Sequence, residues 1–412
     1  MNSSHSGANG APLAPASRPM PSRTAMVLIL GSLGMMGPLT IDMYLPAMPT
    51  IVSDFHTSAS SVQLSLTFYL IGLASGQLLA GPISDVRGRR LPMLAGLIVY
   101  ALCSLLCAFT TNIWSLILLR AIQGFSGAAG MVVSRAVVRD MYSGTELTKF
   151  FTMLMLVNGA GPIIAPIIGG QLLRFTTWHG IFVVLCGVGL VMFAVILLML
   201  PETLPAGKRS RGGFRQTVTT FGGLLRDREF MGYALSSGCV SAALFAYLSG
   251  SSFVLQNIYG VSPQMYSFIF AVNGIGFVLA SQITGKLVSR FPEIRLLVAG
   301  YVIAAAGGAL LLVSLLGGLG LAGVWAAFFL TVSSVGVVGP TSSSLALQSK
   351  GSAAGSAAAL LGVLSLVIGA FTSPLSGLGG GHSAMPLGIL IAAASGGAIL
   401  CYFLLIRRSK EA

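Results

Sequence analysis

Long apolar runs fill the chain, and polar residues gather in short stretches between them. Crossing a hydrocarbon core takes about 20 mostly apolar residues in a helix. Runs of that length cover 24–46, 60–83, 91–111, 113–137, 150–173 and 178–200, then 230–254, 263–288, 295–316, 321–346, 352–377 and 384–406. The one long polar interruption is Pro201–Glu229. Lipid offers no water to an unpaired backbone, so these runs are predicted to be helices. The expected fold class is an all-α integral membrane protein, with twelve transmembrane helices in two pseudo-symmetric six-helix halves of equal length. The short loop after the second span, Gly81 to Arg90, has a degenerate counterpart after the eighth, Gly285-Lys286 to Ser289-Arg290.

Charge orients the spans. With an N-terminus inside, the inner connections and both tails collect nearly every Lys and Arg, including Arg87, Arg89, Arg90, Arg139, Lys149, the Lys208–Arg228 cluster, Lys286, Arg290, Arg295 and Arg407; the outer loops carry Arg174. Positive residues mark cytoplasmic loops, so both termini are expected in the cytoplasm. The expected organisation is a disordered cytoplasmic tail over 1–23, a six-helix bundle over 24–200, a cytoplasmic linker over 201–229, a second bundle over 230–406 and a short tail over 407–412. The polar start lacks the charged-then-apolar order of a cleavable signal peptide.

Composition narrows the class. Apolar residues make up 55% and charged residues only 8%, against about 25% charged in soluble domains. That balance excludes a soluble enzyme and a disordered chain. The net charge of +13 follows from topology, not from a nucleic-acid partner. The five cysteines all lie in apolar runs and read as packing residues. No metal-ligand cluster, nucleotide-binding glycine loop or nucleophile with a positioned base occurs, so no metal, cofactor or enzymatic role is expected. His179, after Trp178, reads as an interfacial anchor.

A charge inside lipid is costly and marks a cavity or a partner. Asp42 is the one acid well inside a predicted span, and Arg120 is the comparable base. At ~1.5 Å per residue, Asp42 lies roughly 6 Å and Arg120 roughly 10 Å from the outer ends of their spans. Their matched depths suggest a titratable carboxylate beside a fixed cation in a central cavity. Arg120 is then expected to serve transport rather than folding.

The loop Gly81-Pro-Ile-Ser-Asp85-Val-Arg87-Gly88-Arg89-Arg90 resembles the signature loop of the major facilitator superfamily. Leu119-Arg120-Ala-Ile-Gln123-Gly124 resembles its helix 4 motif, and Gly161-Pro162-Ile-Ile-Ala165-Pro166-Ile-Ile-Gly169-Gly170 its helix 5 antiporter motif. Thr40-Ile-Asp42-Met-Tyr44-Leu-Pro46, Trp178-His179 and Pro201-Glu202-Thr203-Leu204-Pro205 make the chain similar to the bicyclomycin-resistance (Bcr/CflA) branch of the drug:proton antiporters. Two positions depart from the pattern: Val86 stands where an arginine is usual, and Ala165 where a glycine is usual.

The resemblance implies a proton-coupled multidrug exporter of amphipathic molecules in the bacterial inner membrane, working by alternating access, with protons, lipid and a small drug as partners and a monomer as the working unit. It assigns proton coupling to Asp42 and Arg120. Conformational gating falls to Gly81, Asp85, Arg87, Gly88, Arg89, Arg90, Arg139 and Asp140, and sealing against leak to Gly161, Pro162, Pro166, Gly169 and Gly170. Physically, Gly81 is expected to let span 2 approach a neighbour, and Asp85 to accept from helix N-terminal amides. Tyr44, Gln123, Asn158, Phe245 and Asn273 are expected to line the substrate cavity. The alternatives are a transporter of a polar metabolite such as a sugar, which would call for more polar residues in the spans, and a non-transporting receptor or membrane-embedded enzyme.

Overall fold

A computed structural model describes residues 21–205, 207, 209, 214–348, 350, 354–379 and 383–407. The expected tail over 1–23 begins to be described only at its last three residues, and 408–412 and part of the linker lie outside the described set. All twelve predicted spans are helices long and apolar enough to cross a membrane. In chain order the helices are α1 (Arg23–Asp42), α2 (Met48–Asp54), α3 (Ala59–Arg87), α4 (Arg90–Phe109), α5 (Ile113–Met141), α6 (Gly144–Leu172) and α7 (Trp178–Met199). Then come α8 (Phe214–Arg226), α9 (Arg228–Phe253), α10 (Pro263–Leu287), α11 (Glu293–Leu316), α12 (Gly320–Gln348), α13 (Ala354–Thr372) and α14 (Met385–Cys401). Side-chain caps fix several starts: Ser58 accepts from the Ser61 amide, Asn112 from Trp114, Ser262 from Met265 and Asp227 from Phe230.

Two expectations shift. The first span does not end near residue 46: after a turn and a 3-10 segment over Leu45–Ala47, α2 carries it to Asp54. Asp42 therefore lies near the middle of a span over Arg23–Asp54, with a helix break at its side. The polar interruption at 201–229 contains α8, and the second half begins with α9 at Arg228.

The halves repeat one packing plan. In the first, α3 packs on α5, α4 on α5 and α7, and α1 on α6; in the second, α10 packs on α12, α11 on α12 and α14, and α9 on α13. The tightest approach in each half depends on glycine, because lipid drives no helices together and close packing must do so. A Cβ on Gly72 or Gly124 would collide with the backbone carbonyl of the opposite helix, Ala121 or Tyr69, and one on Gly336 with that of Phe277.

The halves touch through α6 on α10 and α3 on α13, the same pair of contacts with the halves exchanged. One face of the molecule carries the start of α1, the α7–α9 connection and the end of α14; this is the termini face. Hydrogen bonds across the halves gather at the opposite, distal face. Gln63 donates to Ser249 O (3.0 Å) and Ser376 Oγ (3.1 Å), Ser252 to Leu45 O (2.7 Å), Gln256 to Pro46 O (3.1 Å) and Gln264 to Gly170 O (2.9 Å). Toward the termini face, α1, α5 and α6 line one cavity and α9, α12 and α13 another.

Candidate functional site

The helix break at Asp42 builds the first element of the site. Pro38 lacks an amide proton and weakens the last turn of α1, and the chain leaves the helix at Met43. Asp42 is 5% exposed, and what exposure it has opens on a cavity of about 120 Å³. The rest of that cavity comes almost wholly from the other half: Leu244, Tyr247, Leu248, Phe270, Asn273, Gly274, Phe277 and Val332, with Pro162 of α6. Among the described residues the carboxyl has no ion-pair partner. The polar groups nearby are held in place: Asn273 Nδ2 donates to the Tyr247 hydroxyl (3.0 Å), and Trp325 Nε1 donates to Asn273 Oδ1 (3.2 Å). Tyr247 stacks on Phe270 with ring centres 5.5 Å apart. One acid thus faces an apolar, aromatic wall.

Arg120 is in a different setting. It is fully buried, with its guanidinium 4.8 Å from the Tyr44 ring centre, 4.4 Å from that of Tyr69 and 5.8 Å from that of Phe182. One nitrogen donates to Gln123 Oε1 (2.8 Å) and to Thr40 O (3.3 Å), while Gln123 Nε2 donates to Ser104 Oγ (2.7 Å). Its Nε and other terminal nitrogen are buried without a partner. Ring faces attract a cation, most strongly when water is excluded. The structure therefore does not form the expected Asp42–Arg120 pair: the two meet only indirectly, through the Thr40 carbonyl two residues before Asp42. Matched depth did not place them on one face.

Three of the expected cavity residues also move. Gln123 belongs to the Arg120 network, and Tyr44, fully buried, bonds Ser65 through its hydroxyl (2.8 Å) and covers Arg120. Phe245 packs on Gly369 in the contact of α9 with α13. Asn273 and Asn158 do line cavities.

The signature loop forms a compact charge cluster on the termini face. Gly88 has φ +91°, which suits glycine, and brings Arg89 under Asp140 (Nε to Oδ2 2.8 Å), Asp85 and Ser84 (2.8 Å). Burial opposes the Arg89 charge, but the bonds to Asp140 and Asp85 outweigh it and hold its pKa above the ordinary arginine value. Asp85 does not cap α4; Glu202 does, accepting from the amides of Arg89 (2.8 Å) and Arg90 (3.2 Å). A carboxylate suits a helix N-terminus. Thr203 donates to Asp140 (3.2 Å), so the Pro201–Pro205 motif closes the loop. Arg87 and Arg139 are exposed. Gly81 is not a point of close approach, since the nearest atom to a Cβ there would be Val132 at 3.8 Å.

The helix 5 motif gives α6 two faces. Gly161 lies on Pro38 and Gly169 on Met43 of the first span, while Gly170 lies on Ser267 and Pro162 O on Gly274 of α10. It thus wedges α6 between the Asp42 break and the other half. Pro166 sits in the same helix, one turn beyond Pro162. Trp178, beside the half-buried His179, is 1% exposed and a core residue; its Nε1 donates to Asp54 at the end of α2 (2.7 Å).

Sequence reasoning missed Arg135. It lines a cavity of about 380 Å³ with Leu30, Gly34, Pro38, Met131, Ser134, Phe151, Leu154, Met155 and Asn158. The available signal was the one used for Arg120, a base inside an apolar run, but its position near the inner end of 113–137 hid it.

A family model described as Major Facilitator Superfamily matches residues 30–374. The chain belongs to the major facilitator superfamily. It is 44% identical over 371 residues to an uncharacterized MFS-type transporter, YdgK, of Bacillus subtilis, covering 90% of this chain and 92% of that one. It is 32% identical to a bicyclomycin resistance protein homolog of Haemophilus influenzae over 387 residues, 93% of this chain and 97% of the other. A chloramphenicol resistance protein of Pseudomonas aeruginosa is 30% identical over 298 residues, 71% of this chain and 69% of its own. Among solved structures, a point mutant of the nucleoside transporter NupG superposes with a TM-score of 0.76 at 12% identity, covering 93% of this chain and 99% of its own, which shows a shared fold. The chain is a multi-pass membrane transporter and not an enzyme, as its family and relatives show. Its relatives bear out the bicyclomycin-resistance resemblance drawn from the first-half motifs.

Proposed function

We propose that the protein exports amphipathic small molecules in exchange for protons across a bacterial inner membrane, by alternating access, with its termini face in the cytoplasm. The observation that carries this reading is Asp42: a buried carboxyl with no ion-pair partner, facing an apolar cavity that the other half completes. Movement between the halves changes what covers that carboxyl, so its proton and the substrate favour different arrangements. Coupling requires no more than such a difference.

With the distal face bonded shut and cavities toward the termini face, the arrangement corresponds to a carrier open to the cytoplasm. The Arg89 cluster is a gate of the first half, and the α6 wedge keeps the distal side sealed while Asp42 exchanges its proton. A lining of Leu, Phe, Tyr and Val around Asp42 suits an amphipathic molecule better than a sugar, which needs a dense set of hydrogen-bonding groups. The exporter acts as a monomer in this reading.

Chloramphenicol and bicyclomycin are the first substrates to test, given the names of two relatives. In proteoliposomes carrying the full chain and a pH gradient, one of these or another amphipathic antibiotic is expected to move protons in the wild type and not in Asp42→Asn. Coupled movement in Asp42→Asn would remove Asp42 from the mechanism.

A further inference from the structure

The cavity around Arg135 is unused by this reading. It lies on the same path as the Asp42 cavity. Leu30, Gly34, Pro38 and Asp42 recur every four residues along α1, and Phe151, Asn158 and Pro162 share a stripe on α6. Residues at that spacing stand one above another, so the two cavities follow each other from the termini face inward, with Arg135 nearer the mouth.

Arg135 has no hydrogen-bond or ion-pair partner among the described residues. The acids that could have met it are engaged elsewhere: Asp85 and Asp140 on Arg89, Glu146 on Arg23 and Lys149, Asp227 on Lys350, and Glu202 on the α4 amides. The cavity of the other half toward the termini face offers the hydroxyls of Ser237, Ser241, Ser343 and Ser365 and no carboxylate. Beside Arg135, the Asn158 side chain also lines the cavity, with its Nδ2 as a second donor for an anion, and its Oδ1 rests on Gly34, where any Cβ would displace it. A guanidinium presents a planar fork of donors that matches a carboxylate, and that of Arg135 is exposed to the cavity rather than spent on a protein acid.

We propose that Arg135 and Asn158 form an anion subsite at the entry of the transport path, which takes the carboxylate of an amphipathic organic acid from the cytoplasm while its apolar body lies on Leu30, Phe151 and Leu154. This rests on the exporter reading for its direction of movement, but the binding itself does not.

The test is binding of 1-pyrenebutyrate and of uncharged 1-pyrenebutanol to the purified full chain in phosphatidylcholine nanodiscs, read by pyrene fluorescence. The wild type should bind the carboxylate about tenfold more tightly than the alcohol, the scale of one charge-assisted pair. Arg135→Gln should erase that preference while leaving the alcohol bound as before, which also shows that the variant is folded. Arg135→Lys should keep part of the preference, and Gly34→Ala should reduce it by displacing Asn158. Equal binding of both probes by the wild type, or a preference surviving in Arg135→Gln, overturns the proposal. Adding phosphatidylglycerol to the nanodiscs should leave carboxylate binding unchanged; competition would assign the site to a lipid headgroup and overturn the assignment to a solute. Because no proton gradient is used, loss of the anion preference leaves proton-coupled export standing, and failure of export in the Asp42 experiment leaves the anion site standing.

Discussion

Asp42 and Arg120 are both buried ionisable residues at membrane depth in the first half, yet their surroundings differ in kind. Arg120 is enclosed by three aromatic rings and tied to Gln123 and the Thr40 carbonyl. Asp42, two residues beyond Thr40, turns to a cavity whose wall belongs to the other half. The first charge is built into one bundle; the second lies where the bundles meet and separate. Depth along a helix says that a charge needs a reason, and only azimuth says which reason applies.

The comparison breaks most sharply through substitution. Asp42→Asn is expected to reduce coupled transport to background while the purified protein keeps its melting temperature, checked by proteoliposome transport and thermal unfolding together. Arg120→Ala should act the other way round, through the fold. It empties a site sealed among rings and leaves Gln123 unsatisfied, a loss of about 2–4 kcal/mol, so lower expression and a lower melting temperature should accompany any loss of transport. This revises the expectation that Arg120 serves transport alone. Arg120→Lys should retain part of the stability, since the ammonium keeps the attraction to the rings but not the fork.

Packing gives the next effect in size. Gly124→Ala places a methyl group against the Tyr69 carbonyl, and forcing α3 from α5 should cost about 1–3 kcal/mol, whereas Gly81→Ala should change the melting temperature little. The smallest effect lies on the termini face, at the Asp227–Lys350 pair. Burial raises the Asp227 pKa, but the bond from Lys350 and the Phe230 amide overcome this and leave it below the usual carboxylate value. A depressed carboxylate pKa contributes stability that is present above the unfolded value, about 3.9, and is lost as pH falls through the folded one. Lys350→Met should therefore lower stability at neutral pH by about 1 kcal/mol, since the pair is partly buried and stands between surface pairs and fully buried ones, and the difference from wild type should shrink as the medium is acidified below about pH 4.

Much of this was legible in the sequence. The twelve spans followed from the length of the apolar runs, because a bilayer sets a minimum that few other constraints imitate. The Arg89 cluster and the α6 wedge were legible as motifs, although Glu202 takes the capping role expected of Asp85. The break after Asp42 was hidden, since the apolar 3-10 turn over Leu45–Ala47 reads as more helix. That one break changed the depth of Asp42. Side-chain direction was hidden too: Tyr44, Gln123 and Phe245 were expected at the cavity but turn into their own bundles. Arg135 could have been found by asking of every base in a span what it was asked of Arg120.

The account stands most directly on proton release from the purified protein in detergent when a transported drug is added, measured with a pH indicator for wild type, Asp42→Asn and Arg120→Lys side by side. The expected result is release by the wild type, release by Arg120→Lys in proportion to the protein that remains folded, and none by Asp42→Asn at drug concentrations that it still binds. Release of wild-type size from Asp42→Asn would contradict the account, and so would its loss from a fully folded, drug-binding Arg120→Lys.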